Sequence, residues 1–184
     1  MSDDSVRASA VVGRGSHTRR RILVYGTALA SLALLQTTLM PQFQILGITP
    51  DLCLLLIPGI AMLEGPEFGG AFGLAAGFLE CAFGGIGASA LPILFFVLGY
   101  GIGQLTGRAL SRTFPSYLIL AVSICALRPA VTMAAIGLTA QTSDFDLTVI
   151  LRGTLAPEFA VNFLFSLPMY PLCRKLQKTV QKKV

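Results

Sequence analysis

The distribution of basic residues is the feature that most constrains this chain of 184 residues. Between Ile22 and Cys173 it contains no lysine, and single charges interrupt a series of long apolar runs. Basic residues crowd the two ends, among them Arg14, Arg19, Arg20 and Arg21, then Arg174, Lys175, Lys178, Lys182 and Lys183. Because arginine and lysine concentrate on the cytoplasmic side of membrane proteins, this pattern predicts a polytopic membrane protein with both termini in the cytoplasm.

Six apolar segments are candidates for membrane spans, since a helical span needs about 20 mainly apolar residues. They cover residues 22–40, 48–63, 68–83, 90–106, 115–138 and 147–173. The outer links 41–49, 84–89 and 139–146 contain no arginine or lysine, whereas Arg108 and Arg112 lie in a link that this scheme places in the cytoplasm. The predicted fold class is therefore all-α, with six transmembrane helices.

Prolines are expected to disturb two of these spans. The second span is short and carries Pro58, which predicts a kink or a tilted, half-buried helix. The sixth is expected to be broken by Pro157, Pro168 and Pro171. The domain organisation predicted is a disordered basic tail over 1–20, a six-helix transmembrane domain over 21–176, and a basic tail over 177–184, both tails cytoplasmic.

Two glycine patterns predict how part of the bundle packs. Each is a G-x-x-x-G-x-x-x-G sequence, which places its glycines on one helix face and allows close backbone approach in lipid. The two sets are Gly69, Gly73 and Gly77 in the third span, and Gly99, Gly103 and Gly107 in the fourth. The two faces either contact each other or each packs on another helix, and both are candidate docking surfaces for a partner helix.

Charged residues within spans are costly and usually face the interior of a bundle. They are Glu80, Arg128, Arg152 and Glu158, with Asp51 at the outer mouth of the second span. Arg128 and Glu158 fall near one depth, so an ion pair is allowed, serving either to secure two helices or to handle a ligand or proton. Glu80 is expected to be protonated or paired with Arg128 or Arg152, and Arg152 can also snorkel.

The sequence contains no catalytic constellation. Its one histidine, His17, lies in the N-terminal tail, and Glu64 and Glu67 flank a Gly-Pro turn. The four cysteines fall singly within apolar runs, as reduced residues would. The net charge of +5 comes from residues flanking spans, which indicates topology and contact with anionic lipids instead of nucleic-acid binding. We therefore expect no enzyme activity, cofactor or metal.

Several motifs, in order and spacing, resemble the rod shape-determining MreD family. Pro50-Asp51-Leu52 begins the second span, an Ala-Phe-Gly-Leu-Ala-Ala-Gly-Phe-Leu-Glu run ends at Glu80, and Asn162 precedes a Tyr170-Pro171-Leu exit in the last span. The resemblance covers most of the region from Gln36 to Leu176. Where the family commonly has aspartate in its third span, this chain has Glu80.

The resemblance implies a non-enzymatic component of the bacterial inner membrane that supports cell shape and lateral peptidoglycan synthesis in the rod complex. MreC is the implied direct partner, with MreB, RodA and a penicillin-binding transpeptidase in the same complex. The implied fold is similar to the six-helix substrate-binding subunits of energy-coupling-factor transporters. A vitamin-binding transporter subunit is therefore the alternative, and a channel or proton-coupled carrier is a third class, resting on Arg128 and Glu158.

Overall fold

The computed structural model describes residues 3–42, 49–83, 90–108, 110–139 and 156–181. These ranges contain six α-helices and no strand, as the predicted all-α class requires. The helices are α1 (Asp3–Thr38), α2 (Leu52–Glu64), α3 (Pro66–Phe83), α4 (Leu91–Arg108), α5 (Phe114–Thr139) and α6 (Ala156–Gln181), with a 3-10 turn at Met40–Gln42 after α1.

Helix α1 is longer than the first predicted span. It begins at Asp3, so residues 3–20, for which the sequence predicts disorder, are helical in the structure. The segment Thr18–Gln42, which joins the second half of α1 to the 3-10 turn, is the one stretch of the described residues long and apolar enough to cross a membrane. This helix near the N-terminus is compatible with membrane association.

Helix α2 is the shortest of the six and lies at the centre of the bundle. Every residue from Leu52 to Leu63 is buried, and α2 packs against each of the other five helices. The predicted half-buried position is therefore wrong. Because α2 has apolar side chains on all sides, it loses no polar solvation when other helices surround it. Pro58 lies inside the helix.

The turn between α2 and α3 reverses the direction of the chain within a few residues. Gly65 has a φ of +100°, a conformation that residues with a Cβ rarely adopt. Its N–H donates to the carbonyl oxygen of Ala61 (3.1 Å), and Pro66 follows at the first position of α3, where the missing N–H has no helical acceptor. This reversal folds α3 back against α2, and α4 then packs on α3 more extensively than any other helix pair does.

Helix α6 continues through the prolines at which the sequence predicts breaks. It runs unbroken from Ala156 to Gln181, with Pro168 and Pro171 inside it and Pro157 in its first turn. Pro168 and Pro171 are exposed, while Met169 and Tyr170 between them are buried. The buried contacts on both sides hold the helical path, and the lost backbone hydrogen bonds fall on the outward face. Predicted residues 147–155 of the sixth span lie outside the described part.

Candidate polar site around the buried helix

The N-terminal end of α2 is held by side chains from other helices. The side chain of Asp51 caps α2 by accepting from the N–H of Leu54 (2.9 Å). Asn162 of α6 accepts the N–H of Asp51 through Oδ1 (2.8 Å). This contact joins two residues of the sequence motifs that lie 111 positions apart. Both side chains are buried, with Asn162 only 1% exposed.

Gln36 of α1 extends this set of contacts to a third and a fourth helix. Its Oε1 accepts from the N–H of Cys53 (3.1 Å), and its Nε2 donates to Oε1 of Glu80 on α3 (2.8 Å). We refer to Gln36, Asp51, Glu80 and Asn162 as the Asp51 cluster. It connects α1, α2, α3 and α6 at one level of the bundle.

The Asp51 cluster has a clear physical cause. The first N–H groups of a helix have no acceptor within that helix, and leaving such a group buried and unpaired is costly. Water cannot reach the buried start of α2. Side-chain oxygens take the place of water. The N–H of Asp51 donates to Asn162 and that of Cys53 donates to Gln36. The N–H of Leu54 donates to the side chain of Asp51. The cluster is therefore a capping structure supplied by tertiary contacts.

The opposite end of α2 carries a second polar group of residues, which we call the Glu64 cluster: Arg21, Tyr25 and Glu64. The hydroxyl of Tyr25 donates to Oε1 of Glu64 (2.8 Å), and Arg21 pairs with Oε2 (3.3 Å). The side chain of Glu64 is 4% exposed, whereas that of Arg21 is 39% exposed. Arg21 also lies over the ring of Phe68, 5.8 Å from its centre. The ion pair therefore joins α1 to the α2–α3 turn at the border of the buried region.

The structure describes the side chains of two of the four predicted intramembrane charges, Glu80 and Glu158. Glu80 accepts from Gln36, a residue that sequence reasoning did not propose as its partner. Glu158 is half-buried in the first turn of α6. The side chain of Arg128 and the whole of Arg152 lie outside the described part of the structure, and with them the predicted Arg128–Glu158 pair. Arg128 itself falls within α5.

Four members of the two clusters were missed as site residues, namely Arg21, Tyr25, Gln36 and Glu64. Gln36 had a usable signal, because it is an amide within a mainly apolar stretch. Glu64 is the last residue of α2, beside the predicted Gly-Pro turn, but its carboxylate points to α1 instead of solvent. No local pattern links Glu64 to Tyr25, which is 39 positions away.

The glycine faces of α3 and α4 pack directly on each other. A methyl group added at Gly73 would strike the carbonyl group of Phe95, and one at Gly69 would meet the carbonyl oxygen of Gly99 at 2.5 Å. Gly77 and Gly103 contact the other helix or its preceding turn in the same way. The two faces therefore contact each other, which is one of the two predicted arrangements. Because they cover each other, the further prediction that they are docking surfaces for a partner helix is corrected. Gly107 lies outside this contact, with no atom within 4 Å of an added Cβ.

The remaining motif residues join α6 to the start of α5. The hydroxyl of Tyr170 donates to the carbonyl oxygen of Arg112 (3.3 Å), and its ring lies 5.3 Å from those of Phe114 and Tyr117. Pro171 is exposed beside it. Pro50 and Leu52, the motif residues on either side of Asp51, are buried at the start of α2. The motifs thus mark both the centre of the bundle and its contact with the α4–α5 link.

The contacts of the two clusters hold helices together at both ends of α2. Among the described side chains, no group of three His, Cys, Asp or Glu residues could hold a metal ion. None of the four cysteines, Cys53, Cys81, Cys125 and Cys173, forms a disulfide. Comparisons of the chain with protein-family models, characterised proteins and solved structures gave no significant match.

Proposed function

We propose that this chain is a non-enzymatic, multi-pass component of the bacterial inner membrane that acts in the rod complex in the manner of MreD. In this role it docks MreC and links MreB filaments to RodA and a penicillin-binding transpeptidase. The proposal rests on the resemblance of its motifs and on one structural observation. Asp51 and Asn162, which belong to separate motifs of that resemblance, meet in a buried hydrogen bond of 2.8 Å.

That contact supports the proposal because each motif is degenerate when taken alone. Short apolar motifs match many membrane proteins by chance, and chance matches have no reason to share a contact. Here Pro50-Asp51-Leu52 begins the central helix and Asn162 caps it from the last helix. The motifs therefore describe one structural unit, which is what a family signature for a common fold would do.

The outward surface supports a multi-pass arrangement. Large apolar side chains are exposed along α1, α3, α4, α5 and α6, among them Leu34, Phe78, Ile93, Ile119 and Leu164, each more than half exposed. Soluble proteins rarely expose apolar surface of this extent. Lipid would cover it, while α2, at 13 residues too short to span a bilayer alone, is surrounded by the longer helices.

Cysteine labelling tests the six-span topology with cytoplasmic termini. In a cysteine-free variant, a single cysteine at Ser143 should react with an impermeant thiol reagent added outside the cell. A single cysteine at Ser2 should react only after the membrane is opened. The reverse pattern would invert the proposed topology, and reaction of both from outside would mean an even number of crossings between Ser2 and Ser143 instead of the five proposed.

The rod-complex role is tested by rescue and capture. The wild-type chain should restore cell width in a rod-shaped bacterium lacking MreD and should co-purify with its MreC. Asn162→Ala should weaken both, because the N–H of Asp51 would be left buried without an acceptor. Gln104→Ala is the matched control, since the Gln104 amide bonds only to Tyr100 on its own helix. Failure of the well-expressed wild-type chain to rescue or to capture MreC would refute the role.

The vitamin-binding alternative would need polar and aromatic groups that face a ligand. The four tyrosine hydroxyls are instead engaged within the protein. Tyr25 binds Glu64, Tyr117 donates to the carbonyl oxygen of Leu55, Tyr170 to that of Arg112, and Tyr100 accepts from Gln104. We therefore favour the scaffold role.

A further inference from the structure

An apolar groove runs between α4 and α5 on the outer surface of the bundle. Its volume is about 240 Å³, and it is lined by Val97, Gly101 and Leu105 on α4 and by Leu120, Ile124 and Leu127 on α5, with neighbouring side chains. Helix α4 packs closely on α3 but only loosely on α5, which leaves this space open. No atom lies within 4 Å of a Cβ added at Gly101, so this glycine forms part of the groove floor and meets no neighbouring helix.

The dimensions of the groove suit a hydrocarbon chain. The stretch 97–105 of α4 is about 12 Å long at 1.5 Å per residue, so the volume corresponds to a mean cross-section of roughly 20 Å². One extended acyl chain has a cross-section of about this area. An α-helix, with a diameter of about 10 Å, has a cross-section near ~80 Å² and could rest only across the rim.

Positive charge lies at one end of this groove. Arg108 follows Leu105 by three positions and Gly101 by seven, spacings that place it on the groove face of α4. Arg112 lies just before the N-terminus of α5, and both arginines are exposed. The backbone N–H groups at the start of α5 add partial positive charge beside them. Arg108 therefore follows the α4 side of the groove within one helical turn, and Arg112 lies at the same end of the helix pair, eight residues before Leu120.

We infer that the α4–α5 groove is a binding site for an anionic glycerophospholipid of the cytoplasmic leaflet. One acyl chain lies along Val97, Gly101 and Leu105, and the phosphate head group lies against Arg108 and Arg112. Basic sites at the cytoplasmic ends of spaces between membrane helices select anionic head groups in this way. The inference rests on the membrane insertion in the proposed function, but not on the rod complex or on MreC.

Native mass spectrometry of the delipidated full chain in detergent tests the site, with dioleoyl phosphatidylglycerol and dioleoyl phosphatidylcholine as probes. The wild-type chain should bind phosphatidylglycerol roughly tenfold more tightly, given two arginines near the head group. Arg108→Gln with Arg112→Gln should remove most of this preference while retaining weak binding of both lipids. Arg19→Gln, which removes an exposed charge on α1, is the charge control and should leave the preference intact.

The apolar part of the site is tested by filling it. Gly101→Leu should weaken binding of both lipids by roughly tenfold, because the added side chain takes the place of the acyl chain. Gly107→Leu is the matched control, since this glycine is on the same helix, also has open space at its Cβ, and does not line the groove. It should bind both lipids as the wild type does. Unchanged melting temperatures would show that both variants fold.

Three results would overturn the inference. The first is equal binding of the two lipids by the wild type. The second is equal lipid binding by Gly101→Leu and Gly107→Leu. The third is loss of MreC capture in Gly101→Leu with lipid binding intact, which would assign the groove to a partner helix. Lipid binding is measured without MreC, so a failure here leaves rescue and capture unaffected, and a failure of the rod-complex role leaves this measurement interpretable.

Discussion

Substitution of Gly69 by alanine tests whether the α3–α4 contact holds the bundle together. An added Cβ at this position would lie 2.5 Å from the carbonyl oxygen of Gly99 on α4 and 2.6 Å from Cβ of Ala61 on α2. Ordinary van der Waals contact begins at 3.4 Å, so both neighbours are about 0.9 Å too close. The first of these neighbours is backbone, which cannot turn aside as a flexible side chain can, so α3 must move away from two helices at once.

The expected cost follows from this geometry. Overfilling a packed interior typically costs about 1–3 kcal/mol, and a clash with two helices belongs at the upper end. Alanine recovers up to about 1 kcal/mol over glycine within a helix. Gly69→Ala should therefore lower the free energy of unfolding by about 2 kcal/mol. Gly101→Ala has the same gain in helix propensity, and its added Cβ has no atom within 4 Å. This variant should therefore be as stable as the wild type or up to about 1 kcal/mol more stable.

Thermal unfolding in detergent, followed by circular dichroism, measures the difference. The difference of about 2–3 kcal/mol between the two variants corresponds to roughly 4–12 °C in Tm for a protein of this size. The same helix content before melting in both variants would show that the effect is on packing. Equal Tm values for Gly69→Ala and Gly101→Ala would refute the conclusion that the glycine faces of α3 and α4 are held in contact.

The remaining predictions use the same melting assay. Tyr25→Phe should lower the free energy of unfolding by about 1.5–3 kcal/mol, because it removes a hydrogen bond to the buried carboxylate of Glu64, whereas Tyr100→Phe, at an exposed hydroxyl, should melt as the wild type does. If both phenylalanine variants melt alike, the Glu64 cluster contributes no stability. Arg128→Ala should destabilise by about 3–5 kcal/mol and by more than Arg152→Ala, since loss of Arg128 from the predicted pair with Glu158 would leave the carboxylate uncompensated. An Arg128→Ala variant as stable as wild type would exclude the predicted pair.

Helix positions follow closely from local sequence. The second to fifth predicted spans agree with α2–α5 to within a few residues, because a run of apolar side chains ended by Gly, Pro or a capping residue specifies where a helix begins and ends. The end of α2 illustrates this, since Glu64-Gly65-Pro66 contains both its last residue and the first residue of α3. Local sequence failed at α6, where it predicted breaks at Pro168 and Pro171, because tertiary contacts of the buried Met169 and Tyr170 outweigh the loss of two backbone hydrogen bonds.

The sequence by itself determined the helical class, the approximate limits of most helices and the faces on which glycines allow close packing. Only the tertiary structure decided that the shortest helix is central, that the glycine faces cover each other, and that Gln36 and Asn162 cap the start of α2. The physical reason is that apolar periodicity distinguishes buried from water-exposed faces. In helices that are apolar on nearly all sides it does not distinguish a face covered by lipid from one covered by protein. Contacts such as Asp51 with Asn162, which are 111 residues apart, depend on the path of the whole chain.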